Sequence, residues 1–80
     1  MSNNDILGLL QPIFRQVFNE QLLQISLEFD SSMIEGWDSI MHINLIVAIE
    51  ERFNIIFTTE EIGNLICVGS IVDLIERKTS

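Results

Sequence analysis

Residues 38–53, DSIMHINLIVAIEERF, decide the fold of this chain. Apolar residues recur here three and four positions apart, which places them on one face of an α-helix. Asp38 is a favoured N-cap residue because its carboxylate can accept hydrogen bonds from the first turn. The stretch therefore predicts an amphipathic helix from Ser39 to Phe53. Its inward face comprises Leu45, Ile46, Ile49 and Phe53.

A longer helix is predicted before this stretch, over residues 4–19. Asn3 and Asn4 are both possible N-caps for it. Pro12 lies inside the pattern, where it removes one backbone hydrogen bond and crowds the preceding turn. A kink or break near Leu10–Gln11 is therefore an expectation of the sequence.

Two helices are predicted after the central one. Asn54 tolerates the left-handed conformation of a helix C-cap. Thr58 and Glu61 then form a capping box before a short helix over residues 59–65. The last helix opens at Cys67-Val68-Gly69-Ser70 and continues to about Arg77, with Ile71, Leu74 and Ile75 facing inward. Cys67 stands where Ser or Thr would make a stronger N-cap, so a weak cap is expected there.

Residues 20–37 connect the first helix to the central one. Ile25, Leu27 and Phe29 alternate with polar residues, as they would in a strand, but the chain offers such a strand no partner. We expect an extended loop pinned to the core by its apolar side chains. A short helical turn is expected near Ser31–Ile34.

Composition sets the class of protein. Eighty residues, nearly half of them apolar, make one domain, 1–80, with an all-α fold: a small four-helix bundle of three principal helices and one short helix. The formal net charge of −8 disfavours nucleic acid and anionic membrane surfaces as partners. No apolar run approaches the about 18 residues of a membrane span, and no signal peptide is recognisable. A cytoplasmic monomer is expected.

Catalytic and metal sites are poorly supported. Cys67 is the single cysteine and His42 the single histidine, so neither a disulfide nor a metal cluster is expected. Asp38, Ser39 and His42 match a catalytic triad in composition, but neighbours at one helix start cannot readily orient one another as a triad requires. We expect no enzymatic activity and place His42 at the solvated surface.

Ser39 is suited to a different kind of chemistry, covalent modification. A serine at the first position of a helix is exposed and lies among backbone N–H groups that have no partner within the helix. The helix dipole stabilises an anion at that position. A phosphodiester joined to the Ser39 hydroxyl would meet these conditions, whereas an ordinary loop and N-cap, with Trp37 as a hydrophobic staple, is the simpler interpretation.

Four motifs in order resemble the acyl and peptidyl carrier protein family over nearly the whole chain. Gly36-x-Asp38-Ser39-Ile40 is similar to the family's attachment motif G-x-D-S-[LI], and residues 45–53, LIVAIEERF, to its L-x-x-x-[LI]-E-E-x-F helix. Residues 57–62, FTTEEI, resemble its short third helix, and 68–75, VGSIVDLI, its fourth. Asn54, Cys67 and Pro12 depart from the family pattern outside the Ser39 motif.

The resemblance implies a function. Ser39 would carry a covalent 4′-phosphopantetheine arm, added from coenzyme A by a phosphopantetheinyl transferase, and the arm's thiol would hold acyl or aminoacyl groups as thioesters. The chain would shuttle these groups between a loading enzyme and downstream acyltransferases or synthases. Partner enzymes would recognise the central helix through their own Arg and Lys patches, with weak and reversible binding. The expected partner-recognition residues are Asp38, Ile40, Ile43, Val47, Glu50, Glu51, Glu60 and Glu61, with Glu35 in the same acidic cluster.

Alternatives remain open from the sequence. Each acid could belong to a merely solvated face, and Ile43 fits a core position as well as a contact surface. A helical interaction module without a prosthetic group, dimeric through Ile40, Ile43 and Val47, is a second hypothesis. The cargo and its pathway stay open, as does sequestration of an acyl chain in the core; Trp37 and His42 only weakly favour a carrier outside core fatty acid synthesis.

Overall fold

Four α-helices form the molecule in a computed structural model that describes residues 2–34 and 36–79. The three long helices and the one short helix confirm the predicted all-α bundle. Within the described residues the only β pairing is an isolated bridge between Asp30 and Cys67. The elements are α1 (Asn3–Val17), a 3₁₀ turn (Ser31–Met33), α2 (Ser39–Phe53), α3 (Thr59–Asn64) and α4 (Val68–Thr79).

The first helix differs from expectation at its start and at its proline. Ser2 is the N-cap, with its Oγ accepting a hydrogen bond from the Asp5 N–H at 3.2 Å, so the choice of Asn3 or Asn4 was wrong. The helix also runs through Pro12 without a break. Pro12 is exposed while Ile13 beside it is buried, so tertiary packing holds the helix across the missing hydrogen bond.

The core lies where α1 packs against α2 and α4. The inward face predicted for α2 is confirmed: three of its members are buried, and Phe53 is half-buried against them. Asn54 ends α2 in the left-handed conformation, with φ of 56°. The fully buried side chains are Ile6, Leu10, Phe14, Leu45, Ile46, Ile49, Val68, Ile71, Val72 and Ile75.

The connection between α1 and α2 is pinned to the bundle, as predicted. Gln11 Nε2 and Arg15 Nε both donate to the carbonyl of Leu23 at 2.7 Å, and Gln11 Oε1 accepts from the Ile25 N–H at 3.0 Å. Ile25 and Phe29 are buried. The short turn expected near Ser31–Ile34 is confirmed as the 3₁₀ turn.

The same connection caps α4. The N–H groups of Val68 and Gly69 donate to the carbonyls of Phe29 at 2.8 Å and Leu27 at 2.9 Å. The Leu27 carbonyl serves a donor, the Gly69 N–H, that a Ser or Thr N-cap could otherwise serve, and the Phe29 carbonyl serves the preceding N–H. The helix start therefore has partners although Cys67 is a weak cap. A Cβ added to Gly69 would lie 2.9 Å from the Leu27 carbonyl oxygen, which explains why glycine stands there.

The C-terminal half follows the predicted order with small boundary shifts. Thr58 and Glu61 make both hydrogen bonds of the capping box, which confirms the start of α3. Helix α4 extends to Thr79, beyond the expected end at Arg77, and its buried face also includes Val68 and Val72. No helix in the described part of the chain is long and apolar enough to cross a membrane.

Candidate functional site

Ser39 is the first residue of α2, and its side chain is exposed. Asp38 caps the helix as predicted: its Oδ1 accepts from the Met41 N–H at 2.9 Å, and its carbonyl accepts from the His42 N–H at 2.8 Å. The N–H groups of Ser39 and Ile40 have no hydrogen-bond partner among residues 2–34 and 36–79. Two free donors and the positive end of a fifteen-residue helix therefore meet beside the Ser39 hydroxyl.

An open depression of about 340 Å³ adjoins this serine. It lies between the start of α2, the short helix α3 and the turn before α2. Its lining is partly apolar and partly polar. The lining residues are Ser31, Trp37, Asp38, Ser39, His42, Ile62, Gly63 and Ile66.

His42 is not the solvated surface residue that the sequence suggested. Its ring is half-buried, and Nδ1 accepts a hydrogen bond from Nε1–H of Trp37 at 2.9 Å. An indole N–H can only donate, so Nδ1 carries no proton and Nε2–H donates to the carbonyl of Ile62 at 2.8 Å. The imidazole, which belongs to α2, is therefore bonded both to Trp37 before the N-cap and to helix α3.

Trp37 and His42 occupy the two positions of a hydrophobic staple, on either side of the N-cap. The expectation that Trp37 acts as a staple is confirmed: its indole contacts the His42 ring, with the ring planes 26° apart and the centroids 6.0 Å from each other. The spacing of Trp37 and His42 around the N-cap is the one local signal in the sequence for a contact between these two side chains. The contact to Ile62 comes from another helix, and nothing local encodes it.

Two of the three triad-like residues, Asp38 and His42, are engaged elsewhere. The Asp38 carboxylate bonds the Met41 N–H, and both ring nitrogens of His42 bond Trp37 and Ile62. Asp38 therefore does not orient His42, and His42 does not hold the Ser39 hydroxyl. In the described part of the chain no group of three or more His, Cys, Asp or Glu residues could hold a metal ion.

An exposed apolar face continues along α2 from Ser39. Ile40 is 73% exposed, Ile43 52% and Val47 46%. The core position considered for Ile43 is therefore wrong. We call these three residues the α2 face. It is a surface that partners can reach beside the serine.

Within the described residues, the glutamates expected to recognise partners divide into two groups. Glu51 and Glu60 are exposed, whereas Glu50 and Glu61 already serve the fold. Glu50 Oε2 accepts from the Phe57 N–H at 2.8 Å. Glu35 lies outside the described residues.

Glu61 has two partners inside the chain. Its Oε1 accepts from the Thr58 N–H at 2.8 Å and pairs with Nζ of Lys78 at 3.0 Å. The Thr58 N–H first, and then Lys78, lower the pKa of the Glu61 carboxyl below its ordinary value of 4.5. The carboxylate is therefore held ionised by the fold.

The site fits a phosphodiester-linked arm better than a metal or a substrate for catalysis. An anion at the Ser39 oxygen would lie within reach of the free first-turn N–H groups, where the helix dipole stabilises it. The open depression leaves room for a chain leaving the serine. Neither Asp38 nor His42 is placed to activate the Ser39 hydroxyl as a nucleophile.

Comparison with known proteins also points to a protein that carries phosphopantetheine. Residues 9–75 match the family model described as "Phosphopantetheine attachment site". The acyl carrier protein of Buchnera aphidicola subsp. Baizongia pistaciae is 41% identical over 71 residues, covering 89% of this chain and 77% of that protein. The acyl carrier protein of Helicobacter acinonychis is 31% identical over 67 residues, covering 84% and 86%.

A solved structure agrees with the fold. The solution NMR structure of holo acyl carrier protein from Geobacter metallireducens superposes with a TM-score of 0.84 at 40% identity, covering 90% of this chain and 83% of that one. Fold, site and sequence thus define a phosphopantetheine-dependent carrier. The chain belongs to the acyl carrier protein family. Its cofactor is covalently attached 4′-phosphopantetheine, and members of the family carry acyl groups rather than catalyse reactions on them.

Proposed function

We propose that Ser39 is the residue to which the 4′-phosphopantetheine arm is attached. The observation that carries this proposal is the position of an exposed hydroxyl at the first residue of α2, beside two N–H groups without partners in the described chain. A transferase can reach such a hydroxyl without opening the fold. The oxygen is held on a rigid helix rather than on a loop tip, so the arm leaves from a fixed point.

The residues around Ser39 have distinct roles in the proposal. The Ser39 and Ile40 N–H groups and the α2 dipole stabilise the negative charge of the phosphodiester. Asp38 fixes the helix start through the Met41 N–H. When attached, the arm supplies a terminal thiol that holds an acyl or aminoacyl group as a thioester.

We further propose that partners bind the α2 face together with the neighbouring acids. The face provides apolar contact next to Ser39, and the exposed carboxylates of Glu51 and Glu60 add charge that basic partners can recognise. Charge complementarity raises association rates while rim charges add little affinity, which suits a shuttle. The proposed partners are a phosphopantetheinyl transferase, a loading enzyme and downstream acyltransferases or synthases, in the cytoplasm.

Intact mass after incubation with coenzyme A and a permissive phosphopantetheinyl transferase tests the attachment site. The wild-type chain is expected to gain the mass of one phosphopantetheinyl group, and the Ser39→Ala variant none. Ser26→Ala is the matched control, because Ser26 is another exposed serine outside the helices, and this variant is expected to gain the same mass as wild type. Circular dichroism checks that all three chains are folded. Modification of the Ser39→Ala chain would contradict the proposal.

A further inference from the structure

The His42 ring connects the start of α2 with helix α3 beside Ser39. His42 lies one turn after Ser39 on α2, and its Nε2–H bonds the Ile62 carbonyl on α3 at 2.8 Å. Any chain entering between these two helices at the serine end would have to displace the imidazole. Its Nδ1 is held at the same time by Nε1–H of Trp37 at 2.9 Å. One hydrogen bond therefore joins the two helices here, and a second holds the ring that makes it.

Behind the imidazole stands an aromatic cluster. The Trp37 indole is only 8% exposed and packs edge-on against Phe14, with centroids 5.6 Å apart. It also stacks on Phe29 at 6.3 Å and contacts Phe18 at 5.9 Å. These rings fill the space beside the first turn of α2 and fix the indole, so the His42 ring cannot yield by moving toward Trp37.

Displacing the imidazole would also leave polar groups without partners. The buried indole N–H and the Ile62 carbonyl would each lose the hydrogen bond that His42 provides, and an aliphatic chain in their place offers none. An unpaired polar group in an apolar environment is costly. Entry of an acyl chain is thus opposed by polar chemistry as well as by packing.

The surface outside this closure offers a different place for cargo. The depression of about 340 Å³ is lined by Ser39 together with Ser31, Asp38, His42, Ile62 and Gly63. Its size lies at the low end of small-molecule sites, about 300 to 1,000 Å³. Open and partly polar, it suits a short or polar acyl group better than a long aliphatic one.

We infer that the hydrogen-bonded connection Trp37–His42–Ile62 is a gate that keeps the cargo of this carrier outside the core, and that the chain therefore carries short or polar acyl groups. The inference rests on the proposed attachment at Ser39. His42 is a positioning residue in it: the ring acts on the path of the cargo and forms no bond with the arm.

The test compares octanoyl and acetyl cargo on otherwise identical chains. A transferase loads either acyl-pantetheine group from the corresponding acyl-coenzyme A, and amide chemical shifts are compared between the two loaded forms. For wild type, the amide chemical shifts of Ser31, Gly63 and Ile66 are expected to differ between the octanoyl and acetyl forms. Those of the core residues Ile46, Ile49 and Leu65 are expected to be the same. In His42→Ala the core amides are expected to shift, because the gate is removed.

Two further variants make the result decisive. Trp37→Phe keeps an aromatic ring but removes the donor to His42, and is expected to give core shifts between those of wild type and His42→Ala. Asn44→Ala changes an exposed residue of the same helix and is expected to behave as wild type. If His42→Ala does not fold, Trp37→Phe alone carries the comparison.

Two outcomes would overturn the gate. One is a wild-type chain whose core amides shift with octanoyl as strongly as those of the variants. The other is a set of variants whose core amides stay as unperturbed as those of wild type. Failure of loading is a separate result: an unmodified chain would refute attachment at Ser39, and with it the gate, before any chemical shift is measured.

Discussion

The Nε1–H group of Trp37 donates a hydrogen bond of 2.9 Å to Nδ1 of His42, and the two ring planes are 26° apart with centroids 6.0 Å from each other. The contact joins the loop before α2 to the second turn of that helix, directly beside Ser39. Since Nε2–H of the same imidazole bonds Ile62, the start of α2 is tied to α3 through one side chain. The orientation of the proposed attachment site thus depends on this pair.

The first prediction concerns the energy of this pair. A double-mutant cycle with Trp37→Phe and His42→Ala should give a coupling free energy of about 1 kcal/mol, the usual net contribution of one hydrogen bond. Urea denaturation of the four chains measures it. The pair Trp37→Phe and Asn44→Ala is the control and should be additive. Additive behaviour of the Trp37 and His42 changes would show that the hydrogen bond contributes nothing to stability.

The second prediction concerns docking. Ile43→Asp places a charge in the α2 face and should lower kcat/KM of the transferase by about tenfold, which corresponds to roughly 1.4 kcal/mol. Leu22→Asp makes the same chemical change at an apolar side chain that is 92% exposed in the loop before α2. It should leave kcat/KM unchanged. Equal losses in the two variants would mean that the α2 face has no special role.

The third prediction uses two glycines. Gly69→Ala should destabilise the chain by about 1–3 kcal/mol, because its Cβ would press on the Leu27 carbonyl that caps α4. Gly8→Ala is the matched change inside α1, where a Cβ meets nothing within 4 Å. It should raise the free energy of unfolding by about 0.5–1 kcal/mol. Thermal or urea unfolding checks both, and destabilisation of equal size at the two positions would be inconsistent with the capping role of the loop.

The fourth prediction concerns how the contribution of Glu61 to stability depends on pH. The pKa of Glu61 is lowered in the folded chain, so its carboxylate adds stability above its ordinary value of 4.5, and that stability is lost as the pH falls through the lower folded-state pKa. Glu61→Gln should therefore be less stable than wild type at neutral pH, with the difference shrinking in acid. Urea denaturation at several pH values measures this.

The control for that prediction is Lys78→Gln. The Thr58 N–H is the larger cause of the lowered Glu61 pKa, so removing only the lysine should preserve most of the pH dependence. A stability difference between wild type and Glu61→Gln that stays constant from neutral pH to below 4.5 would refute the linkage.

Local rules predicted much of the fold. The Asp38 N-cap, the left-handed Asn54 and the capping box at Thr58 each depend on residues within one turn, and all three are confirmed. Helix periodicity likewise identified the buried face of α2. Such features can be predicted because their physical cause lies in neighbouring residues.

The missed features depend on residues far apart in the chain. The carbonyls of Leu27 and Phe29 cap α4, and Ile62 accepts the bond from His42, yet no periodicity links these positions. The sequence therefore placed Ser39 at a helix start but could not show the hydrogen bond between His42 and Ile62 beside it. Pro12 is a further case, since packing of its buried neighbours outweighs a local helix-breaking preference.

The attachment of the arm to Ser39 is the central claim, and fragmentation mass spectrometry of the modified wild-type chain tests it most directly. After reaction with coenzyme A and the transferase, the phosphopantetheinyl mass should be found on the fragment containing Ser39 and on none of the fragments containing only other serines. The activity of the same transferase is confirmed on a second carrier protein in parallel. A phosphopantetheinyl group on any other serine, or an unmodified chain beside a fully modified control carrier, would contradict the account.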